Sequence, residues 1–193
     1  VSYMIENREI MMRMFPELFE SLKIETVESY PSYLLDILRS LVPSKCNKDP
    51  NIVILTPGPS NSAYYEHSFL ADMMGIELVQ GTDLFVDSNI TYMKTTQGAR
   101  RVDIIYRRVD DEYLDPLYYR SDSLLGIPGI INSYKTGYVN ICSAPGAGIA
   151  DDKAIYTFMP EIIRFYLAEE PVLKNIKTWR CFKKKELQYV IKN

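Results

Sequence analysis

Two hydrophobic periods alternate along the chain, and each switch marks an element. Residues 3 to 22 place Met, Ile and Phe at helical spacing up to Pro16, which has no amide hydrogen with which to continue a helix, so two short helical segments are predicted there. Pro31, Tyr33, Leu34, Leu35, Ile37 and Leu38 predict the next helix, with Ser29 or Ser32 as its N-cap and Pro43 beyond its end. In NIVIL, residues 51 to 55, a continuous branched run replaces the helical period between Asp49-Pro50 and Thr56-Pro57-Gly58-Pro59. That is the pattern of a strand buried on both faces with a loop behind it.

Ser60 or Ser62 is expected to cap a helix through about Met74, with Tyr65, Phe69, Leu70 and Met73 on one face and Gly75 as its stop. Ile76 to Val79 then reads as a second strand, and strand, helix, strand in close succession is a right-handed βαβ unit with parallel pairing. DLFVDSNITYMKT predicts two alternating strands turning at Asp87-Ser88-Asn89, added to the sheet as an antiparallel hairpin. RVDIIYRRV reads as a fifth strand, residues 122 to 135 as a helix interrupted by Pro128 and Gly129, and YVNICS as a sixth strand. Helical segments around Pro160 follow, and Gln188 to Ile191 reads as the start of another strand. The fold class expected is α/β, a Rossmann-like and mainly parallel sheet with flanking helices and an added hairpin. Its domains are an N-terminal helical segment, 1–48, and the Rossmann-like domain, 49–193.

Composition narrows the classes. The 193 residues carry a formal net charge of -3, with 47% hydrophobic and 24% charged side chains, as in ordinary soluble globular domains. A chain of this size buries enough surface to stand without disulfides or a structural metal. Cys46, Cys142 and Cys181 are an odd, widely spaced set without a CxxC, beside a single histidine, which argues against a zinc site or a secreted disulfide framework and for the cytoplasm. The apolar runs fall well short of the roughly 18 residues of a membrane helix, and the mildly acidic balance does not suit a nucleic-acid backbone, so neither partner is expected. Lys183 to Lys185 reads as a solvated face.

In open α/β sheets ligands bind beyond the carboxyl ends of the strands. Three loops leave such ends: TPGPSNSAYYEH, RRVDDEYLDP and APGAGIADDK. The last holds Gly146, Gly148 and Lys153, but Lys153 follows Asp152 and not a glycine, so it is no Walker loop, and a third glycine for a dinucleotide fingerprint is missing. Those glycines equally serve a strand-to-helix turn with Asp151 or Asp152 as N-cap. Arg107 and Arg108 point to opposite faces of a strand, so one can turn toward the crevice and grip a carboxylate or phosphate with its fork. Asp110, Asp111 and Asp115 could orient that fork, hold an amine, or simply close the strand end as an ion-pair network. Asn61 is a cap or a ligand, and His67, beside Glu66, is a packing residue or a ligand without a nucleophile to form a triad.

The strings LTPGPSNSAYYEHSFLADMMGIELVQGTDL, RRVDIIYRRVDDEYLDP and GIADDKAIYTFMPEIIRFYLAEEPVLKN resemble the circularly permuted ATP-grasp family, type 2, once catalogued as a domain of unknown function and remotely similar to glutathionylspermidine synthase. The resemblance implies an ATP-dependent carboxylate-amine ligase, in which an acyl phosphate forms and an amine displaces phosphate to give an amide. It also implies that the chain is a central piece, the pre-ATP-grasp domain, excised from a longer polypeptide. A magnesium-binding Glu-Asp-Asn segment would precede VSYMIENR, and a glycine-rich nucleotide lobe would follow QYVIKN. ATP and Mg²⁺ are therefore expected for the full-length protein and none in the piece, which should not be catalytic alone.

The partners implied are a small-molecule or peptide carboxylate, an amine, and the missing lobes of the same polypeptide. The resemblance makes RRVDDEYLDP the substrate-facing strand end, with Arg107 or Arg108 for an anionic group and Asp110, Asp111 or Asp115 for an amine or for loop order; Asn61, Glu66 and His67 match a family string to which no role is attached and join them as substrate-binding candidates. Asp152 and Lys153, which match an Asn-Lys step of glutathionylspermidine synthase, go to the nucleotide. Two other readings compete: a noncatalytic scaffold that binds a peptide or protein, and a dinucleotide binder, which the missing glycine fingerprint disfavours.

Overall fold

The computed structural model describes residues 1–22, 24–46 and 49–193, so the domain boundary expected at residue 48 falls outside the described residues. The chain divides into two compact units, Val1–Ala144 and Pro145–Asn193.

In the first unit, helices α1 (Ser2–Met14) and α2 (Pro16–Ser21) are separated where Pro16 opens the second, and α3 (Tyr30–Ser40) starts behind Ser29. Strand β1 (Ile52–Leu55) leads to helix α4 (Tyr64–Met74), which ends on Gly75 in the left-handed region at φ 64°. Then come β2 (Glu77–Val79), β3 (Leu84–Asp87), β4 (Ile90–Thr95), β5 (Gly98–Arg101), β6 (Ile104–Arg107), the single turn α5 (Asp111–Leu114), α6 (Ile130–Lys135) and β7 (Asn140–Cys142). Four strands form a parallel sheet in the order β2-β1-β6-β7, and β3, β4 and β5 form a separate antiparallel sheet.

All four residues of β1 are buried because helices or strands cover both faces of the parallel sheet. Val53, Leu55, Ile105 and Ile141 pack with Leu84, Met93, Val102, Leu114, Ile127 and Ile130. Ile52, Ile54 and Ile104 pack on the opposite face with Leu38 of α3 and Leu70, Ala71 and Met74 of α4. The alternation along β1 and β6 thus splits into two cores, as a parallel sheet requires.

The hairpin is not an edge strand of the parallel sheet; with β5 it makes a sheet of its own. RVDIIYRRV is likewise not one strand. The chain changes partners inside it: the Val102 amide donates to Thr91 O, while those of Asp103 and Ile104 donate to Asn51 O. Asp103, fully buried, accepts from the Asn51 amide at 3.0 Å and forms an ion pair with Arg101 at 2.7 Å. A buried carboxylate in the middle of an apolar run is what makes the handover possible.

Other boundaries shift for local reasons. The cap of α4 is neither Ser60 nor Ser62; Asn61 Oδ1 accepts from the Ala63 amide at 2.9 Å and satisfies the entry turn instead. Of the helix expected over 122–135 only α6 forms, directly after Pro128-Gly129, because the preceding stretch is held as turns against residues 113–114.

The second unit holds α7 (Gly148–Asp151), α8 (Lys153–Tyr156), α9 (Met159–Leu167) and α10 (Lys184–Lys192). Pro160 sits in the first turn of α9, where a missing amide hydrogen costs nothing. The final letters form a helix and not a strand: Tyr189 packs tilted against Trp179 with ring centroids 4.4 Å apart, and Glu186 in the first turn accepts from the Arg180 amide. Three adjacent apolar residues, Tyr189 to Ile191, do not by themselves separate the two periods. Among the described residues no helix is long and apolar enough to cross a membrane.

The loops behind the strands touch through glycine. A Cβ on Gly126 would run into the carbonyl oxygens of Tyr113 and Leu114, which are backbone and cannot swing aside. Gly126→Ala is therefore expected to destabilise the first unit by about 1–3 kcal/mol, read as a lower urea midpoint at unchanged slope; an unaltered midpoint contradicts the contact.

Candidate functional site

Consecutive connections of the parallel sheet leave in opposite directions at β1 and β6. β1 runs through α4 to β2 on one side, and β6 runs on to β7 on the other. The carboxyl ends of these two neighbouring strands therefore border the crevice where α/β sheets take ligands.

The two arginines after Tyr106 have different environments. Arg107, opposite Leu55 in the register, has a side chain only 8% exposed. Its guanidinium donates to Val109 O at 2.6 Å, Ser143 O at 3.1 Å and Ala144 O at 3.4 Å, and it pairs with Asp111 at 2.9 Å. This fork ties the end of β6 to the end of β7 through four partners. Arg108 continues the ladder through its amide, which donates to Leu55 O at 2.8 Å, yet its side chain is exposed. It lies over the ring of Tyr106, 6.0 Å from the centroid, on the same face two residues back.

That face also carries Thr56 and His67. Thr56 follows Leu55 on the side of Ile54, and His67 comes from the first turns of α4, which covers the same face. Thr56 Oγ1 and His67 Nδ1 lie 2.9 Å apart, and the Gly58 amide donates to Thr56 Oγ1 at 3.2 Å. His67 is 2% exposed. Its pKa falls below the ordinary histidine value because burial disfavours the imidazolium and Arg108 repels it, with Glu66 opposing. Burial raises the phenol of Tyr106, with Arg108 working against it, and also raises the thiol of Cys142.

The acids have mostly local employment. Asp115 is fully buried and accepts from the amides of Leu117 at 2.9 Å, Gly129 at 3.1 Å and Ile131 at 3.0 Å, so its carboxylate orders the loop and the start of α6. Asp111 faces Arg107, and Asp110 precedes α5 with its side chain exposed. Asn61 is taken up by the entry turn of α4, and Glu66 is half-buried beside His67. Asp152 and Lys153 belong to the second unit. There Asp152 caps α8 by accepting from the Ala154 amide at 2.8 Å, and with Lys153, Tyr156 and Met159 it lines a cavity of about 380 Å³. Lys153 is exposed.

The structure thus gathers His67, Glu66 and Arg108 on one face of the strand ends and places Arg107 and Asp111 in the closure of β6. Thr56 and Tyr106 join the first group, and residue type did not single them out. The strand parity that puts both beside Ile54 was the signal available for finding them. Among the described residues no group of three or more His, Cys, Asp or Glu side chains is arranged to hold a metal ion.

A parallel sheet covered on both faces, beside a separate antiparallel sheet, defines an α/β domain. The chain belongs to the circularly permuted ATP-grasp type 2 family, whose model matches residues 1–193. It is 49% identical over 191 residues to an uncharacterized protein of Synechocystis sp., covering 99% of this chain and 40% of that protein. An uncharacterized protein of Mycobacterium tuberculosis is likewise 49% identical, over 99% of this chain and 34% of its own length. A Frankia alni protein provisionally named glutamate–cysteine ligase 2-3 is 34% identical over 193 residues, which is 100% of this chain and 22% of that protein. The chain therefore spans well under half the length of these curated relatives.

Two outcomes follow from this geometry. Arg107→Ala leaves three carbonyls and Asp111 without their donor and is expected to cost about 1–3 kcal/mol of stability, whereas Arg108→Ala changes it by less than about 0.5 kcal/mol, both read by denaturant unfolding. For His67 the folded pKa lies below the ordinary histidine value of 6.5. The unfolded chain therefore takes up the proton first, and stability is full above that value and declines as pH falls beneath it. His67→Gln should flatten this decline relative to the parent; parallel stability curves for the two proteins would contradict it.

Proposed function

We propose that this chain is the substrate-binding segment of a longer, cytoplasmic ATP-dependent carboxylate-amine ligase, inactive when isolated, whose strand-end crest holds an anionic group of the substrate. Family membership supports the ligase chemistry. The observation that carries the site is the unequal employment of two adjacent arginines, one tied into the backbone of the strand ends and one exposed beside a buried imidazole.

ATP, when bound, supplies the phosphoryl group that activates a carboxylate for attack by an amine. The chain's own residues bind and orient. Arg108 offers a planar, permanently charged fork to a carboxylate or phosphate. Arg107, Asp111 and Asp115 keep the strand end rigid, so the position of Arg108 is fixed to the precision that in-line transfer needs. Asp110 and Glu66 are the acids left to face an amine. Lys153, on the lip of its own cavity, is the cation we assign to the nucleotide, and Asp152 sets its helix start. The likeness to glutathionylspermidine synthase favours a peptide or polyamine amide. The Frankia names nominate glutamate and cysteine as the first substrates to try.

The second reading, a noncatalytic peptide- or protein-binding scaffold, is favoured by the apolar side chains that the second unit exposes, among them Phe165, Val172, Leu173 and Ile176.

The test is ADP release by the full-length protein with ATP, Mg²⁺ and a carboxylate and amine pool that includes glutamate and cysteine. Turnover is expected from the full-length protein and not from the isolated chain. Arg108→Ala should lower kcat/KM by about tenfold or more at an unchanged melting temperature, and Lys153→Ala should raise the KM for ATP. ATP binding without ADP release across the pool would hand the case to the scaffold.

A further inference from the structure

Thr56 and His67 offer more than a buried polar contact. The Thr56 hydroxyl accepts from the Gly58 amide, and the acceptor within reach of its own hydrogen is His67 Nδ1. If the hydroxyl gives that hydrogen to Nδ1, the ring proton is left to Nε2, because a nitrogen that accepts cannot carry it; the reverse arrangement, Nδ1–H donating to Oγ1, fits the same 2.9 Å contact. Among the described residues Nε2 forms no hydrogen bond, yet it is not one of the fully buried atoms without a partner, so it keeps an edge open to solvent. On the same face, Arg108 continues the β6 ladder directly opposite Thr56, one step beyond the Leu55–Arg107 pair.

We infer that His67, locked by Thr56 as the Nε2–H tautomer, is a neutral hydrogen-bond donor that acts with Arg108 to bind one anionic oxygen group, a carboxylate or a phosphate. This rests on the crest being the substrate site proposed above. Thr56 is a positioning residue: it touches the imidazole and not the anion. A neutral donor beside a guanidinium suits an anion better than a second cation would, since the imidazolium would have to be buried against Arg108. Its nitrogen can thus bind near neutral pH without titrating.

The experiment is ¹⁵N NMR of the full-length protein labelled at histidine, with the His67 signals identified by their loss in His67→Gln. The parent should show the Nε2–H tautomer at neutral pH, Thr56→Val should lose that preference, and Thr56→Ser, which keeps the hydroxyl, should retain it. L-Glutamate and inorganic phosphate are then titrated separately as probes. The carboxylate or the phosphate should shift the His67 Nε2 signal saturably, the responding probe naming the source. Arg108→Ala should weaken that response about tenfold or more. An Nδ1–H tautomer in the parent, no effect of Thr56→Val, or no response to either probe would each overturn the donor pair. If the tautomer and the anion response hold while the full-length protein releases no ADP, the ligase reading fails and the anion site stands.

Discussion

The register between β1 and β6 governs everything at the functional edge. Leu55 stands opposite Arg107, and the Arg108 amide extends the same ladder to Leu55 O, so parity is fixed on both strands to their last residues. Both faces of these strands are buried, and a slip by one residue would exchange the two cores. The hydrophobic pattern of Ile52 to Leu55 and Ile104 to Ile105 therefore decides, from well inside the sheet, which arginine lies toward α4 and which does not.

Charge at the edge is settled by what each group can reach. Two of the acids are absorbed locally: Asp115 by three backbone amides and Asp111 by the Arg107 guanidinium. Buried carboxylates need such partners, and a loop that lacks regular structure needs such acceptors. After β6, Arg108 and Asp110 thus keep exposed side chains while Arg107, Asp111 and Asp115 are taken up.

Much of this fold was legible because the decisive signals are local. The branched run at β1, the glycine stop at Gly75, the Ser88-Asn89 turn with both residues at positive φ, and Pro16 between two helices each act through their own backbone geometry. The misreadings fall where tertiary partners override local pattern. Asp103 makes one apolar run into two strands by holding Asn51, a residue on another segment. Tyr189 turns an apolar tail into a helix face by packing against Trp179. At the site, Arg107, Arg108 and His67 could be named from residue type. The bond joining Thr56 to His67 could not, since it spans a loop whose path depends on two prolines and on Asn61 closing the turn.

Two neighbouring arginines of identical chemistry have opposite fates, and the difference follows from desolvation. At 8% side-chain exposure Arg107 is largely stripped of water and needs compensation, which three carbonyls and the Asp111 carboxylate provide. Arg108 keeps its water, so an arriving anion has to displace that water to bind. The exchange is favourable when the new bonds are charge-assisted and the receiving groups already hold their positions. The network around Arg107 supplies that rigidity: the residue tied into the strand ends is the one that holds its neighbour in place.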